Sequence, residues 1–364
     1  MANRKIDSLD NPIAIIQQAI DLIHNARQKI VRQTNSLMVF TYFQIGQLIV
    51  EQEQKGKQKA AFGQQTLLLL SKSLVKEFGR GFSVDNLENM RKFYLTFSIS
   101  ETASRKLKPM QVLDKKSETV SRRLQENYFK KFSERFQLSW SHYVILSRID
   151  DGNERSFYEI ESIQNIWSVR ELQRQLESGL FERLTLSKSP NKVKELAKKG
   201  HIIEKPEDVL KTPYVLEFLG LDEKISYSET DLETAIINKI EHFLLEMGKG
   251  FLFQGRQVRF SLEEENFYVD LVLYNRLLQC FVLIDLKIGK LRHQDIGQMQ
   301  MYVNYYDRFI KQKFEKPTIG IIICKDKSDA VVEITLPKDN KQIFASQYKL
   351  FLPSKATLKK LVTE

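Results

Sequence analysis

The chain has 364 residues, of which 42% are hydrophobic and 28% are charged, and its formal net charge is +10. This length can form two domains with adequate cores, and no apolar run reaches the ~20 residues that a membrane-spanning helix requires. The first residues also lack the apolar core of a signal peptide, so the sequence excludes a membrane partner and predicts a cytoplasmic protein.

The amino-terminal half is predicted to be helical. Apolar residues recur at helical spacing over 11–52, and a second helical stretch covers 67–78. A turn at 79–82 interrupts the pattern, and Ser83 is a good N-cap for a helix over 84–97. Helix, turn and helix resemble a helix-turn-helix motif, in which Arg80, Arg91 and Lys92 would contact phosphates. Two packed helices with solvated charges would give the same pattern, and the sequence leaves both interpretations open.

Positive charge is concentrated in this half of the chain. Residues 1–200 contain 33 Lys and Arg against 22 Asp and Glu, whereas residues 201–364 contain 23 against 24. Residues 98–125 are polar and basic and predict a mobile loop. A positive surface suits a polyanion such as nucleic acid, although many basic proteins bind none. The charge distribution therefore favours DNA as a partner of the amino-terminal half without deciding it.

Further helices are predicted over 139–147 and 156–177, the second with a capping box formed by Ser168 and Glu171. Residues 188–206 are charged and carry a proline near each end, which is typical of a linker. The sequence therefore predicts a helical domain for DNA binding or dimerisation at 1–188, a linker at 189–206 and a second domain at 207–364.

The second domain alternates helical and strand patterns. A helix is predicted over 228–246, strands near 251–253, 257–262, 267–274 and 280–287, a long helix over 293–311 and an apolar strand over 318–324. A last strand and a short helix follow within 348–361. Cys280 and Cys324 lie in apolar strand patterns and are predicted to be packed thiols rather than a disulfide or a metal pair.

Charged residues interrupt two segments that otherwise read as buried strands. The run 280–284 is apolar on both faces and continues into Asp285 and Lys287 without a turn signal, and Asp270 carries the charge within 267–274. A buried carboxylate costs several kcal/mol unless it has a cation or another good partner. A shared functional site is the simplest explanation for three such residues.

A hairpin would bring these three side chains together. If Tyr274 pairs with Cys280, Asp270 lies opposite Ile284 and within one residue of Asp285. Asp285 and Lys287 are two residues apart, so their side chains share one face of the strand.

Two carboxylates at this distance repel each other unless a divalent cation binds between them. With the backbone carbonyl of Leu286 and water, Asp270 and Asp285 form a set of oxygen ligands suited to Mg²⁺, with Mn²⁺ as a substitute. Lys287 would orient or deprotonate the attacking water, or neutralise charge that develops on a phosphate. No organic cofactor is expected.

Asp270, a spacer and Asp285-x-Lys287 resemble the motif of the PD-(D/E)xK nuclease superfamily, whose core is a helix, three antiparallel strands, a helix and a further strand. The predicted order of elements agrees with this core, while Val269 stands where the superfamily name has proline. The resemblance implies an α+β two-domain protein, with an all-helical amino-terminal domain followed by a restriction-endonuclease-like α-βββ-α-β domain.

The resemblance also implies further site residues. The first core helix of the superfamily often supplies a glutamate, for which Glu233 is our choice and Glu241 the competitor. Glu233 also fits a helix start, where acids interact favourably with the helix dipole. Gln298 and Gln300 resemble the auxiliary glutamine of some relatives, and Gln298-x-x-x-Tyr302 is similar to a RecB-like pattern. Ordinary surface glutamines would explain both positions as well.

Short sequence segments along nearly the whole chain are similar to the YhcG-type bacterial family of nucleases, in which a helical domain precedes the nuclease-like domain. These segments lie at 35–36, 42–46, 77–83, 140–143, 167–172, 213–216, 245–251 and 317–320. This sequence has Asp285 where the family more often has glutamate. The replacement shortens the ligand by one methylene and stays within the superfamily's (D/E) pattern.

The resemblance implies a metal-dependent DNA endonuclease that hydrolyses phosphodiester bonds. Because one such site cuts one strand, cleavage of a duplex also implies a homodimer. Two alternatives remain. One is a nucleic-acid-binding or interaction protein with an inactive nuclease fold, and the other is a nuclease specific for branched DNA or RNA.

Overall fold

The computed structural model describes residues 12–55, 60–99, 118–185, 190–222 and 227–354. The chain divides into two compact units, residues 1–155 and residues 156–364. Residues 100–117 of the predicted mobile loop and residues 355–361 of the predicted last helix lie outside the described residues. Within the described ranges, no helix is both long enough and apolar enough to cross a membrane.

The first unit is helical. Its elements are α1 (Pro12–Lys55), α2 (Ala60–Phe78), a short 3₁₀ helix (Arg80–Phe82), α3 (Val84–Ile99), α4 (Glu118–Arg135) and α5 (Trp140–Leu146). Aromatic side chains from α1, α3, α4 and α5 pack against one another in its core, where Phe93 and Phe132 are fully buried. A Cβ at Gly46 would collide with the backbone carbonyl of Met90. Glycine at this position therefore lets α1 and α3 approach closely.

The predicted turn between α2 and α3 is present. Gly79 follows α2 with a φ of 89°, a left-handed conformation that favours glycine. The hydroxyl of Ser83 accepts the N–H of Asn86 at 3.3 Å, which is the N-cap hydrogen bond expected at the start of α3. The local sequence therefore determines where α2 ends and where α3 begins.

Four helices connect the first unit to the sheet of the second. Helix α6 (Gly152–Gln164) spans the division, and α7 (Val169–Glu177), α8 (Leu180–Thr185) and α9 (Pro190–Lys199) belong to the second unit. The hydroxyl of Ser168 accepts the N–H of Glu171 at 3.1 Å, which is one half of the predicted capping box. Helix α9 lies inside the predicted linker, 189–206, whose boundaries stay a prediction.

The second unit is built on a mixed sheet of six strands: β1 (Tyr214–Val215), β2 (Phe251–Leu262), β3 (Glu265–Asn275), β4 (Cys280–Lys290), β5 (Ile319–Asp326) and β6 (Ile343–Lys349). Their order is β1-β6-β5-β4-β3-β2. Strands β2, β3 and β4 are antiparallel, whereas β4, β5, β6 and β1 are parallel. The antiparallel hairpin that carries the predicted site therefore adjoins the parallel half of the sheet.

Helices cover both faces of this sheet. Helices α10 (Glu229–Asn238) and α11 (Ile240–Met247) pack on one face, and α12 (His293–Tyr305), a π-helical turn (Tyr306–Ile310) and α13 (Asp329–Thr335) pack on the other. Ile284 and Leu286 of β4 enter the first core, and Leu283 enters the second. A strand buried on both faces needs apolar residues throughout, which explains the unbroken apolar run at 280–284.

The predicted order of a helix, three antiparallel strands, a helix and a further strand is confirmed, although two details differ. The predicted helix over 228–246 is two helices, because Lys239 between them has a φ of −125° and a ψ of 31°, outside the helical region. The predicted strands at 251–253 and 257–262 are the single strand β2, which has a bulge between Phe253 and Gly255.

The predicted pairing of Tyr274 with Cys280 is wrong by one residue, because Cys280 pairs with Asn275. The Asn275 side chain accepts two backbone N–H groups of the following turn, at 3.0 and 3.1 Å. Asparagine commonly stabilises a turn in this way, so the turn begins one residue later than predicted. Continued along both strands, the observed register places Asp270 opposite Asp285 itself.

Candidate active site

Asp270 lies where the ladder between β3 and β4 ends. The last backbone pair at this end joins Leu271 to Ile284, and beyond it Oδ2 of Asp270 accepts the N–H of Leu286 at 2.8 Å. A hydrogen bond from a backbone amide to a carboxylate is strong and directional, so it fixes the Asp270 side chain. A strand residue directs its N–H and C=O toward the same edge. The Leu286 carbonyl therefore faces the side on which Asp270 lies.

Asp285 and Lys287 extend from one face of β4. Asp285 is only 3% exposed, and its Oδ2 lies 3.0 Å from Nζ of Lys287. Burial raises the pKa of Asp285 to about 7, and the charge of Asp270 adds to the increase. Ionisation of Asp285 beside Asp270 therefore costs more free energy than ionisation of an exposed carboxylate.

The Lys287 side chain is an ammonium in this arrangement. Burial alone would lower the pKa of Lys287, but the carboxylates of Asp285 and of Glu229, at 3.7 Å, outweigh burial and raise it. An ammonium neutralises a phosphate or orients a water molecule, but it has no lone pair with which to take a proton. Of the roles predicted for Lys287, the geometry therefore favours charge neutralisation and orientation over deprotonation.

Glu233 joins the same group of side chains through Gln257. Glu233 is 7% exposed on α10, and Nε2 of Gln257 donates to its Oε2 at 2.7 Å and to Oδ1 of Asp270 at 2.9 Å. Burial raises the pKa of Glu233, while the hydrogen bond from Gln257 opposes the increase. The competitor, Glu241, is exposed on α11. The structure thus links Glu233 to Asp270 through Gln257, and the role of Glu233 stays a prediction.

Helix α12 borders the site through Tyr302. The Tyr302 hydroxyl donates to the carbonyl of Tyr268 at 2.8 Å. Burial raises the pKa of Tyr302 to about 12, with contributions from the charges of Asp285 and Asp270, and Gln298 forms a side-chain hydrogen bond with Tyr302. Gln298 therefore approaches the site indirectly, one helical turn from Tyr302.

Gln300 does not share this position. It is exposed and lines a separate groove of about 380 Å³ on α12. Positions 298 and 300 are two residues apart on a helix, so their side chains point in different directions. The structure brings one of the two predicted auxiliary glutamines to the border of the site and leaves the other apart from it.

The candidate phosphate contacts of the first unit differ in their surroundings. Arg80 and Lys92 are exposed. Arg91 forms an ion pair with Glu53, with Nε 2.7 Å from Oε2. A guanidinium engaged by a carboxylate must give up this partner before it binds a phosphate, so Arg80 and Lys92 are the more accessible cations of the three.

Two family models match the chain. The DUF1016 N-terminal domain matches residues 18–183, and the YhcG PDDEXK nuclease domain matches residues 207–363. A protein of Escherichia coli (strain K12) named "Putative nuclease YhcG" is 39% identical over 345 residues, which cover 93% of this chain and 90% of that protein. The chain belongs to the YhcG family of PDDEXK nucleases.

Two solved structures are also similar to part of the chain. One is the "crystal structure of a repair endonuclease from Pyrococcus abyssi", with 16% identity and a TM-score of 0.24. The other is the "Structure of EndoMS-dsDNA2 complex", with 13% identity and a TM-score of 0.26. Each similarity covers 36% of this chain and about half of the other, at 50% and 49%.

The candidate site fits a divalent cation in its chemistry. Asp270 and Asp285 approach each other, and the Leu286 carbonyl faces the same side. Within the described residues, no group of three or more Asp, Glu, His or Cys side chains is placed to hold one ion. Two carboxylates, a backbone carbonyl and water would therefore make up the ligand set, which is the kind of oxygen set that Mg²⁺ accepts with several waters retained.

Sequence reasoning misses two residues of this candidate site. Gln257 contacts both Glu233 and Asp270, and Glu229 lies 3.7 Å from Lys287. A glutamine in a strand at the sheet edge and an acid in the first turn of a helix are both ordinary on a surface. Neither side chain places a charge in an apolar segment of the sequence, so no unfavourable burial marks either position as functional.

Proposed function

We propose that this protein is a metal-dependent DNA endonuclease whose site comprises Asp270, Asp285 and Lys287, with Glu233 beside them. The observation that carries the proposal is the buried Asp285 carboxylate, placed between a second acid and an ammonium where the β3–β4 ladder ends. A buried carboxylate with a raised pKa is costly to maintain, and such groups concentrate at functional sites. Membership of a nuclease family favours phosphodiester hydrolysis as the function.

Each side chain has a distinct role in the proposed reaction. Asp270, Asp285 and the Leu286 carbonyl would hold Mg²⁺, or Mn²⁺ in its place. When bound, the cation supplies a Lewis acid and lowers the pKa of its water. Lys287 neutralises charge that develops on the scissile phosphate. Glu233, whose pKa is raised by burial, accepts the proton of the attacking water as the new P–O bond forms. The old P–O bond breaks, and the leaving oxygen takes a proton from solvent water.

Single substitutions test this assignment. Asp270→Ala and Lys287→Ala are expected to abolish Mg²⁺-dependent cleavage of plasmid DNA while leaving folding and DNA affinity nearly unchanged. Lys290→Ala, which removes an exposed lysine of the same strand, is the matched control and is expected to cut normally. Cleavage at the wild-type rate by both purified site variants would refute the assignment.

The choice of substrate is part of the same proposal. Parallel reactions on duplex DNA, branched DNA and RNA are expected to show the fastest cleavage with DNA. Preferred cleavage of RNA would show that RNA rather than DNA is the substrate, and the proposed hydrolysis of the phosphodiester bond would stand. DNA binding by a wild-type protein that cuts none of the three would favour an inactive nuclease fold instead.

We further propose that the helical domain at 1–188 binds DNA and that the active form is a homodimer. The excess of positive charge before residue 200 supports the first point, with exposed Arg80 and Lys92 as phosphate contacts. A site that cuts one strand supports the second. Light scattering is expected to give twice the chain mass of 42.7 kDa, and a monomer that cuts both strands would contradict the dimer.

A further inference from the structure

We infer that Gln257 is a positioning residue that prepares the carboxylates of this site for the cation, an inference that rests on the proposed function. Its Nε2 lies 2.7 Å from Oε2 of Glu233 and 2.9 Å from Oδ1 of Asp270. One amide group thereby joins a carboxylate of α10 to a carboxylate of β3. Neither composition nor motif spacing marks Gln257, and its role follows from these two contacts.

The chemistry of the contacts fixes the orientation of the amide. Ionised carboxylates only accept hydrogen bonds, and the amide nitrogen of glutamine has two protons to donate. The nitrogen must therefore face the two acids and the amide oxygen must point away. Two carboxylates brought together without a donor between them would repel, so the amide offsets part of the repulsion between Glu233 and Asp270.

Asp270 is held on both of its oxygens as a result. Oδ1 accepts from Gln257, and Oδ2 accepts from the N–H of Leu286 at 2.8 Å. A carboxylate with one donor on each oxygen has lost its freedom to rotate before a cation arrives. The conformational entropy of this ligand is then lost during folding rather than when the cation binds, so the cation binds more tightly.

The backbone of β2 departs from strand geometry at the same residue. Gln257 has a φ of 45°, and among the four non-glycine residues with positive φ in the described ranges it is the one inside a strand. The neighbouring pairs are Arg256 with Leu271 and Val258 with Val269, so Gln257 lies opposite Asp270. A left-handed conformation is unfavourable for an L-residue, and it persists only where the surrounding structure compensates for it.

These observations separate two kinds of carboxylate in the site. Asp270 and Asp285 face each other and would hold the cation, whereas Glu233 is tied to Asp270 through Gln257. Removal of the amide leaves Asp270 held through Oδ2 alone and removes the hydrogen bond that Glu233 accepts from Gln257. Loss of an outer partner of a metal ligand typically weakens metal affinity about 10–100-fold.

Mn²⁺ titration of the full-length chain tests this role. Gln257→Ala is expected to bind Mn²⁺ at least about 10-fold more weakly than the wild type, as measured by calorimetry or by electron paramagnetic resonance. DNA affinity measured without a divalent cation is expected to stay unchanged, and the lost cleavage rate is expected to return as the Mn²⁺ concentration is raised. A residue that acted only on overall folding would lower the melting temperature measured without the ion and would leave the Mn²⁺ affinity of the folded protein unchanged.

Two further variants separate the amide from the backbone. Gln254→Ala, at an exposed glutamine of the same strand, is expected to match the wild type in Mn²⁺ affinity. Gln257→Gly relieves the positive φ and also removes the amide, so it is expected to bind Mn²⁺ as weakly as Gln257→Ala. Wild-type affinity in either Gln257 variant overturns the inference. A wild-type protein that neither binds Mn²⁺ nor cuts DNA overturns the proposed function instead, and this inference with it.

Discussion

At the scale of single residues, the site depends on a carboxylate that the fold keeps away from water. Asp285 is 3% exposed, and burial raises its pKa to about 7. A nearby ammonium offsets part of this cost, with Lys287 Nζ at 3.0 Å. A divalent cation would offset more of it, because it interacts with Asp270 and Asp285 at once. The acid that is unfavourable in the metal-free protein is therefore the one that gains most from the ion.

Mn²⁺ is expected to stabilise the folded protein through Asp285. Mn²⁺ in 100-fold excess over its dissociation constant should stabilise the wild type by about 2.7 kcal/mol, because the ion binds only the folded arrangement of the two acids. Asp285→Asn is expected to lose this increase in melting temperature. Asp326→Asn, which removes an exposed acid at the end of β5, should retain it. An equal Mn²⁺-induced shift in wild type and Asp285→Asn would contradict the ligand assignment.

The residues of this site differ in how visible they are to sequence reasoning. Asp270, Asp285 and Lys287 stand out because each interrupts an apolar strand, where a charge is expensive. The hydrogen bonds of Gln257 depend on a positive φ inside β2, and no local pattern predicts this conformation. The predicted hairpin register is wrong by one residue, because the Asn275 side chain accepts the N–H groups of the turn and β3 ends one residue later than predicted. The predicted register would have placed Asp270 on the same face as Ile284 and Asp285 on the opposite face. The observed register, continued from the pair of Leu271 with Ile284, is the one that places the two acids on one face.

At the scale of secondary-structure elements, α11 is anchored by a buried acid. Glu246 is fully buried and lies 2.5 Å from Nη1 of Arg183 and 3.4 Å from Nη2 of Arg174. It also accepts the N–H of Val215 at 3.0 Å. Burial alone would raise the pKa of Glu246, but the charges of Arg183, Lys211 and Arg174 outweigh burial and lower it to about 2. Helix α11 is thus tied to β1 and to α7 and α8 by one carboxylate.

Removal of this charge is the second prediction. Glu246→Gln should lower the free energy of unfolding by about 3–5 kcal/mol, because buried cations would be left without their counter-ion. Urea denaturation measures the change. Glu241→Gln, at an exposed acid of the same helix, should change stability by no more than about 0.5 kcal/mol. Similar unfolding midpoints for the two variants would show that the carboxylate does not anchor α11.

At the scale of the whole molecule, the compact units and the family models divide the chain at different places. The family models separate between residues 183 and 207, whereas the compact units separate at 155 and 156. Arg174 and Arg183, the partners of Glu246, lie in the amino-terminal family model but in the second compact unit. Lys249 likewise bonds to Glu161 at 2.8 Å and to the carbonyl of His201 at 2.8 Å. We therefore propose that the nuclease domain folds together with α6 to α9.

Two fragments test this proposal. A fragment of residues 150–364 should unfold cooperatively, because it keeps both arginines and also Asp151, whose carboxylate caps α6 through N–H groups at 2.7 and 2.8 Å. A fragment of residues 207–364 begins where the nuclease family model begins, but it lacks Arg174 and Arg183 and keeps only Lys211 of the three cations that lower the pKa of Glu246. We expect this shorter fragment to aggregate or to lack a cooperative transition in circular dichroism, since the loss of partners of a buried acid costs several kcal/mol against a total stability of about 5–15 kcal/mol. Equal melting temperatures for the two fragments would place the nuclease boundary at residue 207 and confine the role of α6 to α9 to the amino-terminal domain.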